Sequence, residues 1–266
     1  MTSWEFPGSE PIDILIDVAS GSVAVSAEPA ELTTVRLEGT GRNGDLLLSE
    51  VSVTFSGGRL EIIEPKNMRN QLRGNAGLEV TVTAPAGSSC AAHTASADVS
   101  AMGSLGELDA TTASGDVTAA SVAGPLEVRT ASGDVWLERA GATVKVNTAS
   151  GDVQLREADG DITVHTASGD VTIGHAAASV SVQTASGDTK VGSVAAGAVS
   201  TKTASGDTQV GVAAGAGVYL DLSSLTGTIK NQLDETDGSG GVGLQVSCRS
   251  VTGDIRITRA DTAATA

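Results

Sequence analysis

Apolar residues recur along much of this chain as apolar–x–apolar triplets, beginning at Leu126, Val135, Val144, Val153, Ile162, Val171 and Val180, nine residues apart. Each triplet predicts a short strand with alternating sides: Val144 and Val146 face inward, Lys145 outward. Every second gap holds the same small polar phrase. TASGDV stands at 112–117, 130–135, 148–153 and 166–171, TASGDT at 184–189 and 203–208, and a degenerate TASADV at 94–99. The repeating unit is therefore 18 residues, two strands and two turns.

A strand this short cannot bury its apolar side alone. Stacking each unit on the next solves the problem, so the pattern predicts an all-β, single-stranded parallel β-solenoid of the β-helix or β-roll kind, with about 18 residues per coil. Coils then lie ~4.8 Å apart. Two inward columns follow on one side, Leu126, Val144, Ile162, Val180, Val199 and Val128, Val146, Val164, Val182, Thr201. The facing side supplies Val117, Val135, Val153, Val171 beside Ala119, Leu137, Leu155, Ile173. Outward positions read Arg129, Asn147, His165, Gln183 and Lys202, a mixed polar face. Both a two-sheet coil and a triangular one with three shorter sides satisfy the repeat length. The nine-residue interval favours two sheets.

Residues 1–90 are less periodic, with longer alternating runs such as LEVTVTAP at 78–85, and read as an N-terminal β region continuous with the solenoid and capping it. Residues 91–259 form the TASGD solenoid and 260–266 a disordered tail. Beyond Gly206 the phase-keeping glycines are Gly227 and Gly253, at spacings stretched to 21 and 26 residues. DETDGSGG at 234–241 reads as an inserted surface loop.

Composition narrows the picture. Aromatic residues make up 2% of the 266, so the interior must be narrow and regular rather than filled by large anchors. A net charge of −16 and a pI near 4.4 argue against nucleic acid and anionic lipid, and leave cations or basic protein surfaces as electrostatic partners. MTSWEFPGSEPIDILIDV lacks the basic start and apolar run of an export signal, and no apolar stretch reaches membrane-spanning length. A cytoplasmic location without direct membrane insertion is the expectation. Cys90 and Cys248 fall at inward phases near opposite ends of the solenoid, roughly 38 Å apart at sheet spacing. They cannot form one disulfide and read as small buried hydrophobes.

The recurrent TASGDV, together with VASGSVAV at 18–25, VTFSGGRLEI at 53–62 and VTAPAG at 82–87, resembles the bacterial putative-adhesin β-solenoid family, domain of unknown function 4097. The resemblance spans nearly the whole chain. It implies a β-solenoid in an envelope-associated context and carries no catalytic residues.

Stacked turns place Asp98, Asp116, Asp134, Asp152, Asp170, Asp188 and Asp207 on one acidic ridge, a candidate interaction edge. Carboxylates ~5 Å apart repel by about 1 kcal/mol in water. They must be hydrated, bonded to turn amides or bridged by cations. A calcium β-roll also uses nine-residue half-repeats, but its acidic phrase occupies both turns. Here the opposite turns are irregular (ERAGAT, READGD, GHAAAS), so calcium is the alternative rather than the main reading. His93, His165 and His175 are too scattered for a shared metal. A polysaccharide-active β-helix ranks third, because Glu127, Arg129, Lys145 and Lys202 lack aromatic platforms for sugar. The expected function is non-enzymatic: a rigid acidic scaffold that binds a protein partner, or self-associates if one end is left uncapped.

Overall fold

The computed structural model describes residues 1–65, 76–215, 217–233 and 242–260. The chain forms two compact units, Met1–Trp136 and Leu137–Ala266, divided inside the strand Val135–Ala140. No helix among the described residues is long and apolar enough to cross a membrane.

The second unit shows the coil most plainly. Ile162–Ser168 and Val171–Ala176 are the strands of one coil, and Val180–Ser186 and Thr189–Val194 those of the next. Pairing is parallel and in phase: Ile162 lies beside Val180 in one sheet, Val171 beside Thr189 in the other. Each coil gives one strand to each of two sheets, so the cross-section is two-sided. The predicted inward residues Val144, Val146, Ile162, Val164, Val180 and Val182 are buried, while the residues between them stay accessible. β-branched side chains suit both this pleated geometry and the narrow interior. In the first unit, Leu108–Thr111 pairs in the same way with Ser89–Thr94 and Leu126–Arg129.

Both units depart from simple succession. In the first unit the earliest coil is not the outermost. Asp13–Val18 lies between Arg59–Ile63 and Ser89–Thr94, and Gly21–Glu28 lies between Gly77–Pro85 and Asp98–Leu105. Antiparallel strands then close the end: Leu32–Thr40 against Gly77–Pro85, Thr2–Pro7 outside that, and Ser52–Ser56 against Arg59–Ile63. Phe6 and Phe55, on the outermost strand of each sheet, stack with ring centroids 4.7 Å apart and plug the core. The short helix Gly44–Glu50 adds the buried Leu47.

The second unit swaps its last two coils. Val242–Thr252 and Ile255–Arg259 pair with Gly197–Ser205 and Thr208–Val212. Gly217–Ser224 and Ile229–Asn231, although earlier in sequence, are outermost. The spatial order of the phase-keeping glycines is thus Gly206, Gly253, Gly227, not the sequential order the spacing suggested. The additional residues in the stretched spacings let the chain pass over one place and return to fill it. The loop expected at 234–241 lies outside the described residues, as does the expected tail apart from Ala260.

Candidate functional site

The TASGD phrases lie at the edge where the chain passes from one sheet to the other, and their carboxylates bond from coil to coil. In the first unit the Asp116 amide donates to Asp98 Oδ1 and the Asp134 amide to Asp116 Oδ1, both at 2.9 Å. In the second, the amides of Asp170, Asp188 and Asp207 donate to Oδ1 of Asp152, Asp170 and Asp188 at 2.8, 2.7 and 2.7 Å. The series continues to Asp254, whose amide donates to Asp207 Oδ1, and ends at Thr228, whose amide donates to Asp254 Oδ1, each at 2.8 Å. Turn amides at a sheet edge need an acceptor, and a carboxylate supplies a charge-assisted one. All seven predicted ridge residues are exposed. Asp254 belongs to the series but was missed; SVTGD carried the signal, and the swapped coil order hid its place.

The same phrase adopts two turn geometries. At Thr112 and Thr130 the hydroxyl accepts the amide of Gly115 or Gly133 within its own turn, at 3.0 Å. At Thr166 and Thr184 the hydroxyl instead donates to the carbonyl of Ser168 or Ser186. There Gly169 and Gly187 have φ of 138° and 141°, and their amides reach the next coil's Ser186 and Ser205 carbonyls. The hydroxyls of Thr148 and Thr203 are buried without a partner, so not every copy of this threonine serves its turn. At Gly187 a Cβ would stand 2.1 Å from the Gly169 carbonyl oxygen. At that φ and that approach only glycine fits position 187.

Glu64, which the sequence pattern did not single out, serves the earlier VASGSV turn. It is buried, and its Oε2 accepts the Ala19 amide at 2.6 Å.

The remaining candidate chemistry is dispersed. Burial, aided by the Asp109 charge, pushes the Cys90 thiol up to about 12. Burial also raises Cys248 to about 11; the Thr201 hydroxyl lowers it and the Asp221 charge adds to the rise. Both thiols are free and buried, as their inward phases predicted. They lie in different units, and a protonated buried thiol is a poor nucleophile. His93 lies in the first unit, and His165 and His175 lie on different sheets of the second. Among the described residues, no three His, Cys, Asp or Glu side chains cluster to hold a metal.

The outer faces carry polar ladders. His165, Gln183, Lys202 and Arg249 are successive neighbours on one sheet of the second unit. The first three, with Thr166, Thr184 and Thr203, line a shallow depression. On the other sheet Arg156 meets Glu138 at 3.0 Å, and Arg139 meets Glu157 and Asp159 at 3.5 Å. These pairs are exposed and contribute little to stability.

The family model described as Toastrack DUF4097 matches residues 7–173 and again 156–266. No curated protein matches the sequence. Among solved structures, the chain is similar to proteins named "putative adhesin" from Bacteroides fragilis and from Parabacteroides distasonis. Each is 12% identical over 96% of both chains, with a TM-score of 0.47. A "putative cell adhesion protein" from Clostridium sporogenes is 13% identical over 97% of this chain and 99% of its own, with a TM-score of 0.25.

Proposed function

The chain belongs to the Toastrack DUF4097 family, and from that premise we propose that it is a non-enzymatic interaction module: an acidic β-solenoid that presents its Asp edge to a basic protein partner. One observation carries this reading. The coil-to-coil bonds through Oδ1 hold exposed carboxylates in a fixed, evenly spaced row. A row held in place loses little freedom on meeting a partner's lysines or arginines. The net charge of −16 favours encounter with a basic surface and disfavours nucleic acid. Because the carboxylates of Asp152, Asp170, Asp188 and Asp207 already bond amides, the edge is proposed to work without calcium. Equilibrium dialysis should then show no uptake, and calcium should leave the melting temperature unchanged.

The direct test replaces Asp152, Asp170, Asp188 and Asp207 together by Asn. The Asn side-chain oxygen still accepts the next amide, so the fold survives while four charges disappear. Loss of partner capture with an unchanged melting curve supports the edge as the binding surface. Undiminished capture removes it. Screening weakens such contacts, so capture should also fall as salt rises.

A further inference from the structure

The described strands present four sheet edges, two in each unit, and three are guarded. In the first unit, Thr2–Pro7 carries Glu5 and ends in Pro7, and Ser52–Ser56 is five residues with polar residues outward; the Phe6–Phe55 stack seals the core between them. In the second unit, Ile229–Asn231 is three residues, with Lys230 outward and polar Asn231 at an inward phase. Short length, charge, proline and inward polarity are the usual devices against edge pairing.

The fourth edge is neither short nor ended by proline nor polar at the inward positions Val218, Leu220 and Leu222, and its one charge is the outward Asp221. Gly217–Ser224 is eight residues, GVYLDLSS, with neither lysine nor proline. It pairs with Val242–Thr252 on one side, and no described strand lies on the other. Its inward residues Val218, Leu220 and Leu222 lie beside Leu244, Val246 and Cys248, which are at most 1% exposed, yet are themselves only half-buried. Around them Tyr219 is 57% exposed, Leu225 78% and Ile229 41%. An apolar layer with a free row of backbone donors and acceptors is chemically suited to another β-strand.

We propose that the occupant is a second copy of this chain, pairing antiparallel through the same strand about a two-fold axis. The reading rests on the chain being an interaction module and names one partner for it. Directly opposed residues of an antiparallel pair share a face, so the axis must pass through a residue. Centring on Leu220 pairs Gly217 through Ser223 completely. It sets Leu220 against Leu220 of the copy, Val218 against Leu222, and the Tyr219 hydroxyl against the Asp221 carboxylate. Centring on Asp221 opposes two carboxylates, which is destabilising; centring on Tyr219 or Leu222 leaves much of the strand unpaired. The inward faces of both copies then lie on the same side, and their half-buried leucines share one core. A two-fold contact closes on itself, so the product is a dimer and not a fibre.

Light scattering across a concentration series tests this on the full chain. The expected species is twice the 26.3 kDa chain mass, and screening of the like-charged copies shifts it toward dimer as salt rises. Leu220→Lys opposes two ammonium groups at the axis and should raise the dimer dissociation constant about tenfold or more. Thr54→Lys, on a guarded edge, should leave it unchanged; both variants are checked for an intact fold by circular dichroism. A monomer at every concentration, open-ended growth beyond the dimer, or a dimer indifferent to Leu220→Lys overturns the proposal. A monomer that dimerises only after residues 261–266 are removed also overturns it, in favour of the chain's own end as the occupant. Partner capture by the Asp edge responds to salt in the opposite direction, so failure of one reading is distinguishable from failure of the other.

Discussion

At the residue scale, the side chains that invited chemical roles are mostly consumed by structure. Asp188 shows the balance: its Oδ1 accepts the Asp207 amide at 2.7 Å, and its own amide donates to Asp170. Asp188→Asn keeps the acceptor and relieves repulsion within the row, so stability should hold or rise slightly. Asp188→Ala removes the acceptor at an exposed site where water substitutes, and urea denaturation should show a loss of about 0.5–1.5 kcal/mol. Gly187→Ala is a different case, because a Cβ there meets backbone 2.1 Å away at a φ of 141°. A loss of about 1–3 kcal/mol is expected, read by the same denaturation. Cys90 adds a pH dependence. An unfolded thiol ionises near 9.0, whereas the folded one keeps its proton to about 12. Between those values only the unfolded chain loses the proton. The stabilisation is therefore complete below the lower value and is lost as pH rises toward the upper. The urea midpoint should fall between pH about 8 and about 10.5 more steeply in the native chain than in Cys90→Ala; equal slopes contradict this. Native protein should also resist thiol-reactive reagents that label it rapidly once unfolded.

At the element scale, the coil was legible and the order of coils at the ends was not. Triplets such as Val144–Lys145–Val146 predicted both strand and register, because period-two alternation at fixed intervals leaves one way to build a buried column. The Asp column was legible for the same reason. Its hydrogen bonds were not: spacing gives the phase of Asp170 but not whether its carboxylate turns to solvent or to the next amide. Asp254 was missed because adjacency was read from sequence order, while Gly217–Ser224 had already taken the outermost place. Leu32–Thr40 alternates like any other strand, and nothing in its pattern says that it runs antiparallel. Two turn geometries for one phrase are also beyond a local reading, since Gly133 and Gly169 stand in the same hexapeptide TASGDV yet bond differently.

At the scale of the whole molecule, scarcity of aromatics and a strong acidic excess express one design. A narrow interior filled by Val, Ile, Leu and Ala needs no large anchors, and the outer positions are free to carry charge and small polar groups. The two Phe rings that occur are used together, stacked between outer strands of the first unit. In the second unit Gly217–Ser224 is left with half-buried leucines; the proposed roles give the charged row to a basic partner and this apolar strand to a second copy. Both roles depend on the repeated turn being a fixed corner and not a flexible, solvated loop. Native-state amide hydrogen exchange followed by NMR tests that dependence most directly. The amides of Asp170, Asp188, Asp207 and Asp254 should be strongly protected although they belong to turns at the surface, and exchange at those amides as fast as in an unstructured peptide would contradict the account.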